Sequence, residues 1–339
     1  MKPVANVFCR TAAQRPASLH TIIIALNVMK EMGVPAEALL RGTGISPAEV
    51  EQANAMVTHA QEMVLFANAL EATGNSAIGL HIGSEIPVTA YGLRGHAMLV
   101  SPTLGDAMRL AYEHPLLAIS YFQITLDVDD DIARVTVGGY TYRADLLILN
   151  TDMCLAAVRR EMIDLLGRVP EFRRLGLAFP PPSHAIVYSD IFKCEVIFET
   201  EENFVEFDAN LLNKKLPLAH PIEFEIARRA CIKREFELSH WVPADLVGRL
   251  LGIMYDNPMC QDVVKFTEKL GMSPRSLQRK LKYMGTSFSA LLDLVRRDVA
   301  SRYLSENQLS SKEIAAKLGY KNASAFSRAM KRWSKVAVD

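Results

Sequence analysis

A chain of 339 residues is long enough for two domains, and with half of its residues hydrophobic each can bury a core of its own. Its 38 basic and 38 acidic residues cancel overall but not locally: from Trp241 to Asp339 there are 17 Lys and Arg against 9 Asp and Glu, a net of +8, while the rest holds 21 against 29, a net of −8. One end is built to approach a polyanion and the other is not. No apolar run approaches the roughly 20 residues of a membrane span. The stretch Thr21 to Leu26 starts late and has no small-residue cleavage site after it, so it reads as a core helix rather than a secretory signal. The five cysteines, Cys9, Cys154, Cys194, Cys231 and Cys260, are odd in number, far apart and without a CxxC pair. That pattern points to free thiols in a reducing compartment rather than a disulfide framework or zinc site. A cytoplasmic protein with no membrane association, no cofactor and no metal is expected.

Residues 1–17 carry no periodicity and are expected to be mobile. Helical patterning then covers 19–32, 35–41, 46–52, 58–73, 76–83 and 103–113, with start signals at Ser46-Pro47 and Ser101-Pro102-Thr103. Residues 118–127 and 132–138 are rich in branched and aromatic side chains and flank the acidic turn Asp127 to Asp131, which reads as a hairpin. A long helix over 144–167 ends at Gly167. A strand near 174–179 is halted by Pro180-Pro181-Pro182, Ser183 caps a short helix, and strands follow near 194–199 and 203–208. Helices and strands segregate rather than alternate, so this part is α+β. Residues 209–221 form a connector, and a polar amphipathic helix over 222–238 leads onward. The expected domains are 1–240 and 241–339.

The last 80 residues write one small unit twice. The first copy has a helix over 260–269 with Val263, Phe266 and Leu270 inward, a turn at Gly271, and a second helix started by Ser273-Pro274. Leu277 and Leu281 of that second helix face the core, leaving Arg275, Gln278, Arg279 and Lys282 on the open side. Arginine pairs bidentately with guanine and glutamine with adenine, so this is a base-reading face; a solvated surface is the plainer reading of the same four residues. A linker helix from Ser287 to Ser305 repeats Phe288, Leu292, Val295, Val299 and Tyr303 at helical spacing. Its Arg296, Arg297 and Arg302 are expected on the surface or against phosphate. The second copy starts at Ser310-Ser311-Lys312-Glu313, turns at Gly319, and caps its last helix with Asn322. Phe326, Met330 and Trp333 point inward, and Ser324, Ser327, Arg328 and Lys331 outward. Two serines read bases less well than Arg and Gln, so this copy is expected to contribute more through phosphate, with Arg328 its best base reader. Two helix-turn-helix units joined by a rigid helix suit adjacent major grooves on one face of a duplex. The fold class is an α+β N-terminal domain followed by an all-α domain with two helix-turn-helix motifs.

The stretches LGMSPRSLQRKLKYMGTSF (270–288), LLDLVRRDVASRYL (291–304) and LSSKEIAAKLGYKNASAFSRAMKRW (309–333) resemble the signature of the AraC/XylS family of bacterial transcription regulators. That resemblance implies a seven-helix domain that binds double-stranded promoter DNA and contacts RNA polymerase to activate transcription. YGLRGHAMLVSPT (91–103), LGDAMRLAYEH (104–114) and FDANLLNKKLPLAHP (207–221) resemble the arabinose-binding-type sensor domain of the ornithine-utilisation group of regulators. This implies a ligand or dimerisation role, with an unknown small-molecule effector and a homodimer as partners. Family members continue past the Trp333 position with a Gly-x-Ser-Pro-x-x-Tyr-Arg segment. Here Ser334 to Asp339 follow instead, so the last helix is expected to fray.

No catalytic constellation stands out. His59, His81, His96, His114, His184 and His220 are dispersed, without HExxH or HxH spacing. Gly92 to His96 lacks the Lys-Ser/Thr ending and the preceding strand of a phosphate loop; Arg94 and His96 meeting an anionic effector is a minor alternative. Tyr121, Tyr140, Tyr142 and Arg143 read as packed core, with a pocket beside the hairpin as the alternative. An alkylation-repair enzyme would need an activated cysteine, and Cys9, Cys154, Cys194 and Cys231 sit in no Pro-Cys-His-Arg-like context. The expected function is a sequence-specific, effector-controlled regulator and not an enzyme; the alternative is a constitutive dimeric regulator with no small-molecule effector.

Overall fold

The computed structural model describes residues 16–52, 56–118, 121–140, 142–239, 246–284, 286–305 and 309–335. The segment expected to be mobile mostly falls outside these, but its end does not: β1 (Pro16–Ser18) pairs antiparallel with β2 (Met56–Thr58). Three residues leave no readable period, which is why this ribbon escapes a pattern reading. Between them lie α1 (His20–Glu31), α2 (Ala36–Leu40) and α3 (Pro47–Val50), and after them α4 (His59–Thr73). Capping boxes start two of these helices, Ser46 with Glu49 for α3 and Thr58 with Gln61 for α4.

Next come α5 (Ile78–Ser84), α6 (Gly92–Leu99) and α7 (Leu104–Glu113). The sequence reading has no counterpart for α6, because Gly92 and Gly95 lower helix propensity. Gly95 is needed for space, since a Cβ there would overlap the Val88 carbonyl. The hairpin forms as expected, from β3 (Gln123–Asp129) and β4 (Ile132–Gly138), but its turn is tighter than the acidic run and Asp130 sits at φ 50°. Then follow α8 (Leu147–Leu166), closed by Gly167, β5 (Phe172–Leu177), α9 (Ala185–Phe192), β6 (Glu195–Phe198) and β7 (Asn203–Asp208). Ser183 does not cap α9. Its hydroxyl bonds to the Ser76 hydroxyl at 2.8 Å, and His184, at the cap position, turns its ring to the buried Asp152 carboxylate at 2.9 Å instead.

The five-stranded sheet has the order β3-β4-β7-β5-β6, antiparallel except for the β5–β6 pair. Ala133, Val135 and Val137 alternate inward along β4, while β3 is mostly exposed and carries Asp127 and Asp129, charges that discourage edge pairing. Helix α8 is the axis of the core. Leu149, Met153, Ala156 and Val158 are buried on it, and α5 approaches so closely that a Cβ at Gly79 or Gly83 would overlap the Leu149 or Met153 carbonyl. Tyr188 donates to Asp152 at 2.6 Å, and Arg94 of α6 reaches Glu161 of α8 at 2.9 Å, both in the interior.

Helix α10 (Pro221–Ser239) packs across α6 and buries Cys231. The expected domain boundary near 240 lies outside the described residues. Beyond it come α11 (Leu246–Asp256), α12 (Val263–Leu270), α13 (Pro274–Tyr283), α14 (Phe288–Ser305), α15 (Ser311–Lys317) and α16 (Ala323–Lys335). That is six helices among the described residues, one fewer than the resemblance implies. None of the described helices is long and apolar enough to cross a membrane.

Candidate functional site

Each helix-turn-helix unit is built by local signals. Asp262 caps α12, Gly271 ends it in the left-handed region at φ 66°, and the Ser273 hydroxyl accepts from the Ser276 amide to start α13, with Pro274 at the first helical position. In the second unit Ser310 and Glu313 form a capping box for α15, Gly319 turns at φ 73°, and Asn322 accepts from the Ala325 amide to start α16. Phe266, Leu270, Leu277 and Leu281 are buried in the first unit, and Ile314, Leu318, Phe326 and Trp333 in the second.

With those faces turned inward, Arg275, Gln278, Arg279 and Lys282 are all exposed on α13, and Ser324, Ser327, Arg328 and Lys331 are all exposed on α16. The two helices are joined through α14, where Leu292, Val295 and Val299 are buried and Phe288 and Tyr303 partly so. Its 18 residues span about 27 Å, close to the roughly 34 Å of a DNA turn. Asp293 of α14 fixes α16 by accepting from Arg332 at 2.9 Å and from Trp333 Nε1 at 3.1 Å. Gln261 binds the Gly319 carbonyl at 2.7 Å and ties the two units directly.

The arginines of α14 depart from expectation. Arg296 is 7% exposed. It donates to the Pro258 carbonyl at 3.1 Å and lies over the Tyr320 ring. Arg297 pairs with Asp145 of the sensor at 3.3 Å. Neither is a surface or phosphate group, because the helix that carries them is packed on several sides; the Arg302 side chain lies outside the described residues.

Further contacts join the sensor to the reading unit. The Gly42 amide donates to the Met284 carbonyl, at the C-terminal end of α13, at 2.9 Å. Gly44 meets the Val247 side chain of α11. Asp145 is presented to Arg297 by Arg143, whose Nε and Nη2 hold its two oxygens at 3.2 and 2.7 Å.

Inside the sensor the aromatic residues beside the hairpin are packed together, as the plainer reading expects. Tyr121 and Tyr142 are each 3% exposed, and the His59 ring meets the Tyr142 hydroxyl at 2.6 Å. Tyr140 accepts from Asn150 and donates to the Arg143 carbonyl. Glu62 of α4, which belongs to no motif, is wholly buried against this group. Burial pushes its carboxyl up to about 8, tempered by the Tyr121 and Thr21 hydroxyls. The signal was available, since Glu62, Phe66 and Ala69 fall on one helical stripe and a carboxylate there is out of place.

The minor alternative for Arg94 and His96 fails on geometry. Arg94 is committed to Glu161 and the Tyr91 ring, and His96 meets Glu223 at 3.0 Å. Burial pushes the Cys154 thiol up to about 12, and the Cys194 and Cys231 thiols up to about 11, the opposite of what a nucleophile needs. Cys9 lies outside the described residues.

Comparison with known proteins agrees with this architecture. Residues 33–216, more than half of the chain, match the family model for the N-terminal arabinose-binding domain of AraC transcription regulators, and residues 266–338 match a helix-turn-helix domain. The chain belongs to the AraC-type transcription regulators, which are DNA-binding proteins and not enzymes. Among its relatives is the ornithine utilization regulator of Pseudomonas aeruginosa, 27% identical over 310 residues that cover 91% of each chain. Another is VirS of Mycobacterium tuberculosis, 27% identical over 337 residues that cover 91% of this chain and 90% of that one. The crystal structure of transcriptional regulator CdpR from Pseudomonas aeruginosa aligns with a TM-score of 0.47 at 21% identity, covering 93% of this chain and 95% of that one.

Proposed function

We infer that the chain is a cytoplasmic homodimeric activator that binds promoter DNA, contacts RNA polymerase, and is switched by a small molecule held in the sensor domain. In this reading α13 enters one major groove with Arg275, Gln278, Arg279 and Lys282. The next groove receives α16, where Ser324, Ser327 and Lys331 act mainly on phosphate and Arg328 on a base.

The observation that carries ligand control is the direct grip of the sensor on the reading unit. The Gly42 amide holds the end of α13, and Asp145 holds Arg297 on the linker helix. A ligand that favours one arrangement of the sensor therefore biases where a recognition helix stands, provided it binds the two arrangements with different affinity. Activation, the polymerase contact and the homodimer rest on the family's general behaviour.

Arg279→Ala tests the base-reading role. The expected result is a loss of about 1–3 kcal/mol of binding free energy, with relaxed preference at one or two base pairs. An equal loss on every sequence would reduce Arg279 to a phosphate contact.

A further inference from the structure

Four buried oxygens in the sensor core have no hydrogen-bond partner among the described residues: both carboxylate oxygens of Glu62, the Tyr121 hydroxyl and the Thr21 hydroxyl. Glu62 and Thr21 are fully buried and Tyr121 nearly so. The two hydroxyls are near enough to Glu62 to act on its carboxyl, yet none of these atoms completes a bond to another. His59 Nε2, one turn back on α4, stands 4.0 Å from the carboxylate, beyond hydrogen-bond reach. A buried carboxylate with neither oxygen satisfied is a costly arrangement, and its presence calls for a reason.

The surroundings are aromatic. The rings of His59, Tyr121 and Tyr142 meet edge to face, with centroids 5.0 Å apart for His59–Tyr121, 5.5 Å for Tyr121–Tyr142 and 5.7 Å for His59–Tyr142. Phe66, one turn beyond Glu62 on α4, packs on Tyr121 at 6.3 Å.

We propose that this cluster is the effector site and that it takes a small organic cation bearing a primary ammonium group. Such a group has three N–H donors and no acceptor. The two Glu62 oxygens and one hydroxyl would satisfy all three, the charges cancel, and the rings add a favourable quadrupole. A metal ion is less well served, because the described residues contain no group of three His, Cys, Asp or Glu that could hold one. The proposal rests on the ligand-controlled reading above and supplies its route. Gln61, the neighbour of Glu62, holds the Thr43 carbonyl at 3.1 Å, between Gly42 and Gly44, which touch the reading unit. Tyr142 precedes Arg143, which presents Asp145 to Arg297.

The site carries a pH signature. Glu62 is held neutral at pH 7 by burial, so a bound ammonium displaces its proton. The groups around it are His59 on its own helix, Thr21 on α1, and Tyr121 and Tyr142 beside the hairpin. Burial and Glu62 push Tyr121 well up, so it does not titrate between pH 6 and 8.

The test uses the full chain with n-butylammonium, against n-butanol and butyrate as matched probes, in calorimetry and thermal melting. The expected result is binding and stabilisation by the amine alone. Affinity should rise about tenfold per pH unit from pH 6 to 8, with about one proton released to buffer. Glu62→Gln should weaken binding about 100-fold. Thr21→Val should weaken it about tenfold without touching the carboxylate. No response to the amine, or a response that survives in Glu62→Gln, would overturn the site. If a small-molecule cell extract still shifts the melting temperature in that case, ligand control stands and only the cation site falls. If the amine binds through Glu62 but leaves DNA affinity unchanged, the site stands and the effector reading falls.

Discussion

Glu62 shows how one residue sets a measurable property of the whole. Its carboxyl has an ordinary value of 4.5 when exposed and about 8 in the folded chain. Between those values the folded state holds a proton that the unfolded state has lost. Stability contributed by this group is therefore full below pH 4.5 and is lost as pH rises toward 8, at about 1.4 kcal/mol per pH unit. Glu62→Gln cannot titrate, so its stability relative to the wild type should climb across that window. Urea unfolding at pH 5, 6.5 and 8 reads this directly, and parallel curves for the two proteins would contradict it. The same residue marks where sequence reading stops. A single acid on an apolar stripe is visible as an anomaly, but which hydroxyls and rings surround it depends on Thr21, Tyr121 and Tyr142, which come from distant parts of the chain.

At the scale of elements, α5 crosses α8 closely. Gly79 and Gly83 lie against the Leu149 and Met153 carbonyls with no space for a Cβ. Gly83→Val should force the helices apart and cost about 1–3 kcal/mol, read as a lower urea midpoint; an unchanged midpoint would mean the crossing is looser than described. Elements whose signals are local were legible in the sequence. The Ser46, Ser273, Ser310 and Asn322 caps and the Gly271 and Gly319 turns act within a few residues, so both helix-turn-helix units follow from the chain itself. Elements whose stability comes from elsewhere were not. β1 exists only by pairing with β2, α6 forms despite its glycines because α10 and α7 cover it, and Ser183 loses the cap to a His184–Asp152 contact. Arg296 and Arg297 read as surface charges because helical spacing shows which residues share a face, not what packs on that face.

The whole molecule is a charge-divided pair of units, with specific ties between them among the described residues. Asp145 and Arg297 form one, held in place by Arg143, and Gly42 on Met284 forms another. If these ties set the stance of the reading unit, Arg297→Ala and Asp145→Asn should each change affinity for a two-block DNA site. Their double variant should depart from additivity by about 0.5–3 kcal/mol. Strict additivity would mean that the ion pair plays no part in DNA binding.

In the proposed function α13 and α16 read two neighbouring grooves. The most direct measurement is to incubate the purified full chain with fragmented genomic DNA of its source, with and without cell extract, and to sequence what is retained at rising salt. The expected result is enrichment of sites with two conserved blocks about one helical turn apart, upstream of genes, with retention falling steeply as salt increases. Retained fragments that share no two-block pattern, or retention that ignores salt, would contradict it.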